Sequence, residues 1–133
     1  MLRKGVCIGL GYFSQFHLEA WSRLKDVEII AVCDFDKDKL KQVASKYGIK
    51  NTYTNVEEMF VAEQPDFVDI ITPPKTHLEL SLLAIKHNIK IYAIGTGESN
   101  EILLNAITQN TKGNSFKANN KENLVDIYSE LLA

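Results

Sequence analysis

The chain has 133 residues, enough for one domain with its own hydrophobic core, and we expect a single domain over residues 1–133. Hydrophobic residues make up 45% of the chain and charged residues 24%, which is typical of a soluble globular protein. The net charge of −2 argues against a nucleic acid or a membrane as a partner. No apolar run reaches the about 18 residues that span a membrane, and no signal-peptide pattern is present, so we expect a cytoplasmic protein, whether natural or recombinant.

The first predicted strand and helix are joined by a glycine-rich turn. An apolar strand near Gly5–Leu10 runs into Gly9-x-Gly11-x-x-Ser14, and a helix is expected over Ser14–Lys25. Gly9 permits a tight turn, Gly11 lets the backbone approach a pyrophosphate, and the small Ser14 lets the helix pack closely on the sheet. The N–H groups at the start of such a helix bind phosphate oxygens. The pattern therefore predicts a dinucleotide site.

Two aromatic residues, Tyr12 and Phe13, lie in the middle of this turn. Their position next to the expected pyrophosphate makes both rings candidates to flank and cover it. The alternative is that one of them packs on the edge of the sheet. The sequence leaves both interpretations open.

The second strand, expected over Val27–Cys33, ends in an acid. Asp34 follows Gly9 by 25 positions, close to the spacing at which a carboxylate binds the adenosine ribose hydroxyls. A carboxylate there repels the 2′-phosphate of NADP, and no arginine follows that would accept it, so the sequence predicts NAD as the preferred cofactor. The alternative is a polar residue that simply ends a strand.

The rest of the chain alternates strands with helices. We expect further strands at Asn51–Tyr53, Phe67–Ile71, Lys90–Gly95 and Ser115–Ala118, and further helices at Lys37–Tyr47, Val56–Glu63, His77–His87, Asn100–Gln109 and Lys121–Leu132. The longer strands are apolar almost throughout, which predicts burial on both faces in a parallel sheet. The expected fold is therefore α/β: a doubly wound, Rossmann-like domain of three layers whose mainly parallel, six-stranded sheet has the order 3-2-1-4-5-6.

The cysteines and the first histidine are expected in the core. Cys7 and Cys33 fall in predicted central strands and lack Cys-x-x-Cys spacing, which predicts reduced core thiols and no metal site. His17 lies at helical spacing from Trp21, so we expect it to pack beneath the helix rather than to transfer protons.

Residues 3 to about 88 resemble the N-terminal half of the glucose–fructose oxidoreductase / inositol dehydrogenase (Gfo/Idh/MocA) family. The resemblance rests on the glycine turn with His17 behind it, on the strand ending at Asp34, and on the segment Asp-Phe-Val-Asp-Ile-Ile-Thr-Pro-Pro-Lys-Thr-His over residues 66–77. It implies an NAD(P)-binding domain in which the loop after the fourth strand lies beside the cofactor. The loop residues it implies are Thr72, Pro73, Pro74 and His77; the alternative is a rigid turn with Thr76 as the helix N-cap.

The resemblance stops near residue 88. The family's next strand ends in a Glu-Lys-Pro triplet whose lysine serves the chemistry, whereas this chain reads Ile-Gly-Thr-Gly-Glu-Ser over residues 94–99. The family's large C-terminal substrate domain also has no counterpart in the residues that remain. We therefore expect no catalytic residue, and a protein that is not an enzyme.

Residues 89–133 resemble the C-terminal part of von Willebrand factor type A domains, beginning with Ile-Lys-Ile-Tyr-Ala-Ile over residues 89–94. The Asp-x-Ser-x-Ser motif that binds metal in those domains has no equivalent after the first strand, so no metal is implied. Two families in one small domain suggest a recombinant or designed chimera, with its junction between Leu80 and Ile89. A natural, diverged single-domain protein is the alternative.

The function expected from the sequence is a non-catalytic or residual NAD-binding module. We expect a monomer, because the parent reductases often associate through the missing domain. A nicotinamide without a second domain over it is open to water, so the affinity should be weak, with Kd of roughly 10 µM to 1 mM. The alternatives are a chimera that folds but binds no specific ligand and a fragment of an NAD-dependent oxidoreductase.

Overall fold

A computed structural model of the protein describes residues 2–96 and 115–118. Strands and helices alternate in it: β1 (Arg3–Ile8), α1 (Ser14–Ser22), β2 (Val27–Cys33), α2 (Lys37–Tyr47), β3 (Asn51–Tyr53), α3 (Val56–Glu63), β4 (Phe67–Ile70), a 3₁₀ turn (Pro74–Thr76), α4 (His77–Lys86), β5 (Lys90–Thr96) and β6 (Ser115–Ala118). The predicted helices Asn100–Gln109 and Lys121–Leu132 lie outside the described residues. None of the helices in the described ranges is both long and apolar enough to cross a membrane.

The sheet confirms the predicted parallel order for five strands. Its order is β3-β2-β1-β4-β5, and every neighbouring pair is parallel. The strand β6 pairs in parallel with β5, but only along Ala93–Thr96. The strand β4 pairs with the other half of β5, Lys90–Tyr92, so β4 and β6 use different parts of the same strand. A continuous sheet of six strands therefore stays a prediction.

The core has one cluster on each face of the sheet. One cluster includes residues of α1 and α2, and its buried members are Cys7, Leu10, Leu18, Ala20, Trp21, Val27, Val32, Leu40, Ile49 and Phe67. The other includes residues of α3 and α4, with buried Val6, Ile8, Ala31, Cys33, Met59, Phe60, Val68, Ala84, Ile89 and Ile91. Neighbouring residues of one strand, such as Val6 and Cys7, belong to opposite clusters because side chains alternate along a strand. Helices thus cover both faces, as predicted.

Most element ends follow from local signals. Gly48 ends α2 in the left-handed conformation at φ +65°, and the Asn55 side chain caps α3 by accepting a hydrogen bond from the backbone N–H of Glu58. Two expected elements differ from the structure by more than one residue at an end. The strand β1 starts at Arg3 rather than Gly5, and it stops at Ile8 rather than Leu10 because the turn begins at Gly9, whose φ is +97°. The helix α1 stops at Ser22, three residues before the expected end at Lys25.

Cys7 and Cys33 are unpaired and buried in β1 and β2, which confirms them as core thiols. Burial raises the pKa of the Cys7 thiol well above its ordinary value, and the nearby charge of Asp69 raises it further. Burial, with a contribution from Asp34, raises the pKa of Cys33 to about 11. Both thiols are therefore protonated and unreactive at neutral pH.

A buried carboxylate in the middle of β4 anchors α1 to the sheet. Asp69 is 2% exposed and pairs in register with Cys7 of β1. Its Oδ2 accepts a hydrogen bond from the Trp21 indole N–H at 2.8 Å and lies 2.9 Å from Nδ1 of His17. Residues four positions apart share one face of a helix, so both donors reach down from α1 to the same oxygen.

The position of His17 changes its acidity. Its burial lowers the pKa of the imidazole, whereas the charge and the hydrogen bond of Asp69 raise it, and the balance is a pKa above the ordinary 6.5. This pairing agrees with the prediction that His17 packs beneath the helix.

We expect the stability that His17 contributes to depend on pH. Because its pKa is higher in the folded protein than in the unfolded chain, the stabilisation is complete below about pH 6.5 and is lost as the pH rises through the raised pKa. The variant His17→Asn keeps a neutral donor near the place of Nδ1 and does not titrate. The free energy of unfolding in urea, compared between wild type and variant, should differ more at pH 6 than at pH 9. A difference independent of pH would contradict this account.

A glycine in β1 makes room for an aromatic ring. A Cβ atom on Gly5 would overlap three ring atoms of Phe67, namely Cζ, Cε2 and Cε1. The Phe67 ring in turn packs on Trp21, with 4.7 Å between the ring centroids, and both side chains are 1% exposed. The ring therefore has little space into which it can move.

The substitution Gly5→Ala should lower the free energy of unfolding by about 1–3 kcal/mol, because overpacking a filled core forces side chains away from their preferred rotamers. Urea unfolding followed by tryptophan fluorescence measures this loss. The double variant Gly5→Ala/Phe67→Leu is the control, since it removes the ring that the new methyl group meets. The alanine should cost less in the Phe67→Leu background, and an equal cost in both backgrounds would show that the ring is not responsible.

Candidate functional site

Three parallel strands, β1, β2 and β4, end together at one edge of the sheet. The backbone N–H of Gly9 donates to the carbonyl of Cys33 at 2.9 Å, and that of Ile71 donates to the carbonyl of Ile8 at 2.8 Å. The three segments that follow these strands are therefore neighbours in space. In sheets of this kind, ligands bind outside the carboxyl ends of the strands, where the strand order reverses.

Gly9 lies where two backbones pass each other closely. A Cβ atom on it would lie 3.0 Å from the backbone carbon and oxygen of Ile71 and 3.1 Å from the methyl group of Thr72. Its φ of +97° is also strained for any residue with a side chain. Glycine at this position therefore brings the turn after β1 against the loop after β4.

Gly11 faces open space, in contrast to Gly9. It is exposed, and no atom lies within 4 Å of the place that a Cβ would take. Its carbonyl oxygen accepts hydrogen bonds from the backbone N–H of Ser14 at 3.0 Å and from the Ser14 hydroxyl at 2.7 Å. Ser14 is 3% exposed, so its small side chain both closes the turn and lets α1 pack closely on the sheet. The first turn of α1 contains no acidic residue that would repel an anion.

The carboxylate of Asp34 lies against the glycine turn. Its Oδ2 accepts a hydrogen bond from the backbone N–H of Leu10 at 2.7 Å, and its Oδ1 accepts one from the N–H of Asp36 at 2.8 Å. Each carboxylate oxygen has a second lone pair, and the residue is only half-buried. The contact with Leu10 was not predicted, because nothing in the sequence pairs that amide with an acid 24 positions away.

The aromatic residues of the turn stay exposed. Tyr12 is 70% and Phe13 is 62% exposed. The Tyr12 ring meets the rings of Phe13 and Phe16 edge to face, with centroids 5.4 and 5.5 Å apart. Neither residue is buried against the sheet edge, which argues against that alternative. Phe35, which follows Asp34, is 92% exposed and adds another aromatic ring at this edge. It was not predicted as a site residue.

The loop after β4 is held together by its own side chains. The Thr76 hydroxyl lies 2.7 Å from the hydroxyl of Thr72 and 2.8 Å from the carbonyl of Pro73. The His77 ring donates from Nε2 to the carbonyl of Thr72 at 2.6 Å. Thr76 occupies the N-cap position of α4, as the alternative interpretation expected, but its side chain makes no capping hydrogen bond. Pro73 is exposed, and Pro74 begins the 3₁₀ turn.

The structure thus brings together most of the residues predicted for the site. The turn from Gly9 to Ser14, the acid Asp34 and the start of the Thr72–His77 loop meet at one edge. Asp69 was not predicted as an important residue, although an acid inside an otherwise apolar strand is a signal that donors such as His17 and Trp21 must reach it. The described residues include no group of three His, Cys, Asp or Glu side chains placed to hold a metal ion.

A separate cavity of about 370 Å³ lies at the opposite edge of the sheet. Its lining comes from the ends of α3 and α4 and the segments after them, namely Phe60, Val61, Gln64, Pro65, His87, Asn88 and Ile89. It contains none of the predicted site residues. The carboxyl edge therefore remains the candidate site, on the strength of its converging backbone and carboxylate groups.

Comparison with known proteins identifies the family. Residues 3–94 match the model of the GFO_IDH_MocA family, described as an oxidoreductase family with an NAD-binding Rossmann fold. A D-apiose dehydrogenase from Paraburkholderia graminis is 41% identical over 86 residues, which are 65% of this chain and 23% of that protein. A second D-apiose dehydrogenase, from Rhizobium rhizogenes, is 36% identical over 86 residues, 65% of this chain and 25% of that protein. The chain therefore spans about a quarter of the length of these relatives.

A solved structure shows the same fold with cofactor. An oxidoreductase from Agrobacterium radiobacter, crystallised with NAD+, L-tartaric acid and magnesium, superimposes with a TM-score of 0.72 at 29% identity, over 84% of this chain and 33% of that one.

These relatives overturn the prediction that the protein is not an enzyme, because they are dehydrogenases. That prediction relied on the missing Glu-Lys-Pro triplet and on the missing C-terminal substrate domain, and both concern residues that follow the end of the family match at Ile94. The match also extends past the predicted junction between Leu80 and Ile89. The chain belongs to the GFO_IDH_MocA oxidoreductase family with an NAD-binding Rossmann fold, and it contains that family's N-terminal, cofactor-binding segment.

Proposed function

We propose that this chain is the cofactor-binding part of an NAD-dependent dehydrogenase. The proposal takes up the oxidoreductase fragment that the sequence analysis held as an alternative. It is supported by the dehydrogenase relatives and by the family match over residues 3–94. NAD accepts a hydride in such enzymes, and the protein supplies its binding and orientation.

The observation that carries the proposal is the meeting of an anion-binding turn with an acid. Gly11 leaves open space at the N-terminus of α1, where a pyrophosphate finds backbone N–H groups. The carboxylate of Asp34 is held beside this turn through Leu10 and has lone pairs left for ribose hydroxyls. These groups fit the pyrophosphate and the adenosine ribose of NAD.

The remaining site residues are assigned by their place along this edge. Gly9 and Ser14 shape the turn, and the exposed rings of Tyr12 and Phe13 flank the pyrophosphate. The loop with Thr72, Pro73, Pro74 and His77 lies across Gly9 from Asp34, so it faces the nicotinamide half of the cofactor. Its internal hydrogen bonds hold it in one conformation before the cofactor binds.

A sugar is the substrate class that we propose. The D-apiose dehydrogenases that match at 41% and 36% identity support a polyhydroxylated substrate. The matched segment corresponds to about a quarter of such an enzyme, so the proposal assigns the proton-transferring group and the substrate pocket to residues outside this segment.

Several further features expected from the sequence stay predictions. These are the sixth strand as part of one continuous sheet, the single domain over residues 1–133, and the monomeric state. The von Willebrand factor A resemblance of residues 89–133 and the chimera that it suggests also stay predictions. The family match supports a diverged oxidoreductase segment as the simpler origin of residues 3–94.

We expect NAD to stabilise the protein through Asp34. With a Kd of about 100 µM, 1 mM NAD adds roughly 1.4 kcal/mol to the free energy of unfolding and raises the Tm by a few degrees. The variant Asp34→Ala should bind NAD at least about tenfold more weakly, because it loses the ribose acceptor and the contact with Leu10. A thermal-unfolding titration with NAD measures both effects.

The matched control for this titration is Glu28→Ala, which removes an exposed acid from the same strand at its opposite end. This variant should show the same rise in Tm with NAD as wild type. If the wild-type protein unfolds cooperatively and its Tm does not rise with up to several millimolar NAD, the proposed function is wrong.

The charge of Asp34 should also set the preference for NAD over NADP. Wild type should bind NADP at least about tenfold more weakly than NAD, because the carboxylate repels the 2′-phosphate. Asp34→Asn keeps an oxygen acceptor for the N–H of Leu10 and removes the charge, so the ratio of the two dissociation constants should move towards one. Calorimetric titration with both cofactors gives this ratio, and a ratio that the substitution leaves unchanged would assign the preference to other residues.

A further inference from the structure

Buried polar groups in the described ranges are concentrated at α1. Four polar or charged residues of the described ranges are buried. Three of them, Ser14, His17 and Asp69, lie in α1 or directly beneath it, and the fourth, Ser81, lies in α4. Asp69 is the one carboxylate of this set. A buried charge is costly unless several donors surround it, so its place in the middle of β4 needs an explanation.

Stability alone does not explain this carboxylate. Replacing a buried charge and its partners with well-packed apolar side chains is often neutral or stabilising. Apolar packing, however, tolerates small rotations and translations of a helix, whereas hydrogen bonds have narrow distances and angles. The bonds from His17 at 2.9 Å and Trp21 at 2.8 Å come from successive turns of α1, so together they fix both its rotation and its height above the sheet.

The contacts of Asp69 lead directly to the glycine turn. His17 lies one turn after Ser14 in α1, and its backbone N–H is directed at the carbonyl of Phe13 at 3.5 Å. Ser14 holds the carbonyl of Gly11 through both its N–H and its hydroxyl. A shift of α1 at His17 therefore moves the turn that is proposed to hold the pyrophosphate.

Asp69 is also connected to the opposite side of the site. Two residues further along the chain, the backbone of Ile71 passes within 3.0 Å of the place of a Gly9 Cβ. The loop that begins at Thr72 follows at once. One side chain thus links the strand that carries this loop to the helix that carries the glycine turn.

We propose that Asp69 is a positioning residue for the dinucleotide site: by accepting hydrogen bonds from His17 and Trp21, it holds the N-terminus of α1 at the height and rotation that pyrophosphate binding requires. This inference rests on the proposed function. In this proposal Asp69 acts through α1 and not by direct contact with the cofactor.

The test uses five substitutions in the full chain. Asp69→Asn removes the charge at nearly constant shape, Trp21→Phe removes one donor, and His17→Leu removes the other. His17→Asn is the rescue variant, because its amide N–H replaces the donor at Nδ1 without a charge. Phe60→Leu, in the core on the other face of the sheet, is the control for a general loss of stability.

Two quantities are measured for each variant, well below its Tm. The first is the dissociation constant of NAD by calorimetry. The second is hydrogen exchange in the ligand-free protein at the amides of Ser14 and Phe16, which donate to the carbonyls of Gly11 and Phe13. The amide of Met59 in α3, bonded to the carbonyl of Asn55, is the internal reference.

We expect Asp69→Asn, Trp21→Phe and His17→Leu to bind NAD about 5- to 20-fold more weakly than wild type. In the same three variants, amide exchange should accelerate more at Ser14 and Phe16 than at Met59, relative to wild type. His17→Asn should stay within about twofold of wild type. Phe60→Leu should lower the Tm without changing the NAD affinity or the exchange ratio. A purely structural Asp69 would instead make its variants resemble Phe60→Leu, and this result would overturn the positioning role.

The two proposals fail in different ways. Wild-type protein that binds no NAD contradicts the proposed function, and the exchange measurement still decides about Asp69. Exchange at Ser14 and Phe16 that is unchanged relative to Met59 in the first three variants overturns the positioning role, whether or not NAD binds. If Asp69→Asn does not fold, Trp21→Phe and the pair of His17 variants give the same decision.

Discussion

The site depends on the close approach of two backbones at the carboxyl edge of the sheet. The turn at Gly9 passes the backbone of Ile71 so closely that a side chain would be crowded, since a Cβ would lie only 3.0 Å from it. This approach places the turn after β1 and the loop after β4 side by side. The carboxylate of Asp34 then joins the end of β2 to the same turn through Leu10. The absence of a Cβ atom at Gly9 therefore allows three segments that lie far apart in the sequence to meet.

The two aspartates Asp34 and Asp69 have opposite environments, and we propose different roles for them. Asp34 is half-buried, and its oxygens retain lone pairs at the open edge, so it is suited to a ligand. Asp69 is 2% exposed, and its Oδ2 already accepts from the indole of Trp21 and faces His17, so it is suited to holding the protein together. In the two proposals above, the same carboxyl group therefore serves recognition at the exposed edge and positioning in the core.

Local signals explain why much of this fold was predictable. The bounds of β2, α2, β3 and α3 agree with the sequence prediction because apolar runs, the cap at Asn55 and the stop at Gly48 act within a few residues. The contacts that build the site act over longer distances, 24 positions for Leu10 and Asp34 and 52 for His17 and Asp69. A single sequence marks the residues of such pairs but does not show which partners meet. The prediction that the protein is not an enzyme failed for another reason: it rested on the missing triplet and the missing substrate domain after Ile94, whereas the family signal lies in the 92 residues from 3 to 94.

The two halves of the proposed cofactor site rest on unequal support. The adenosine and pyrophosphate side is built on the glycine turn, on α1 and on the end of β2, which are fixed by buried contacts such as those of Ser14 and Asp69. The nicotinamide side rests on the Thr72–His77 loop, whose hydrogen bonds run within the loop itself and whose Pro73 is exposed. Rigid elements hold a binding geometry more accurately than loops do. In the proposed site, most of the preorganised contacts therefore lie on the side of the ADP half of NAD, which binds without reacting. The nicotinamide half, which reacts, needs further groups that orient it and shield it from water.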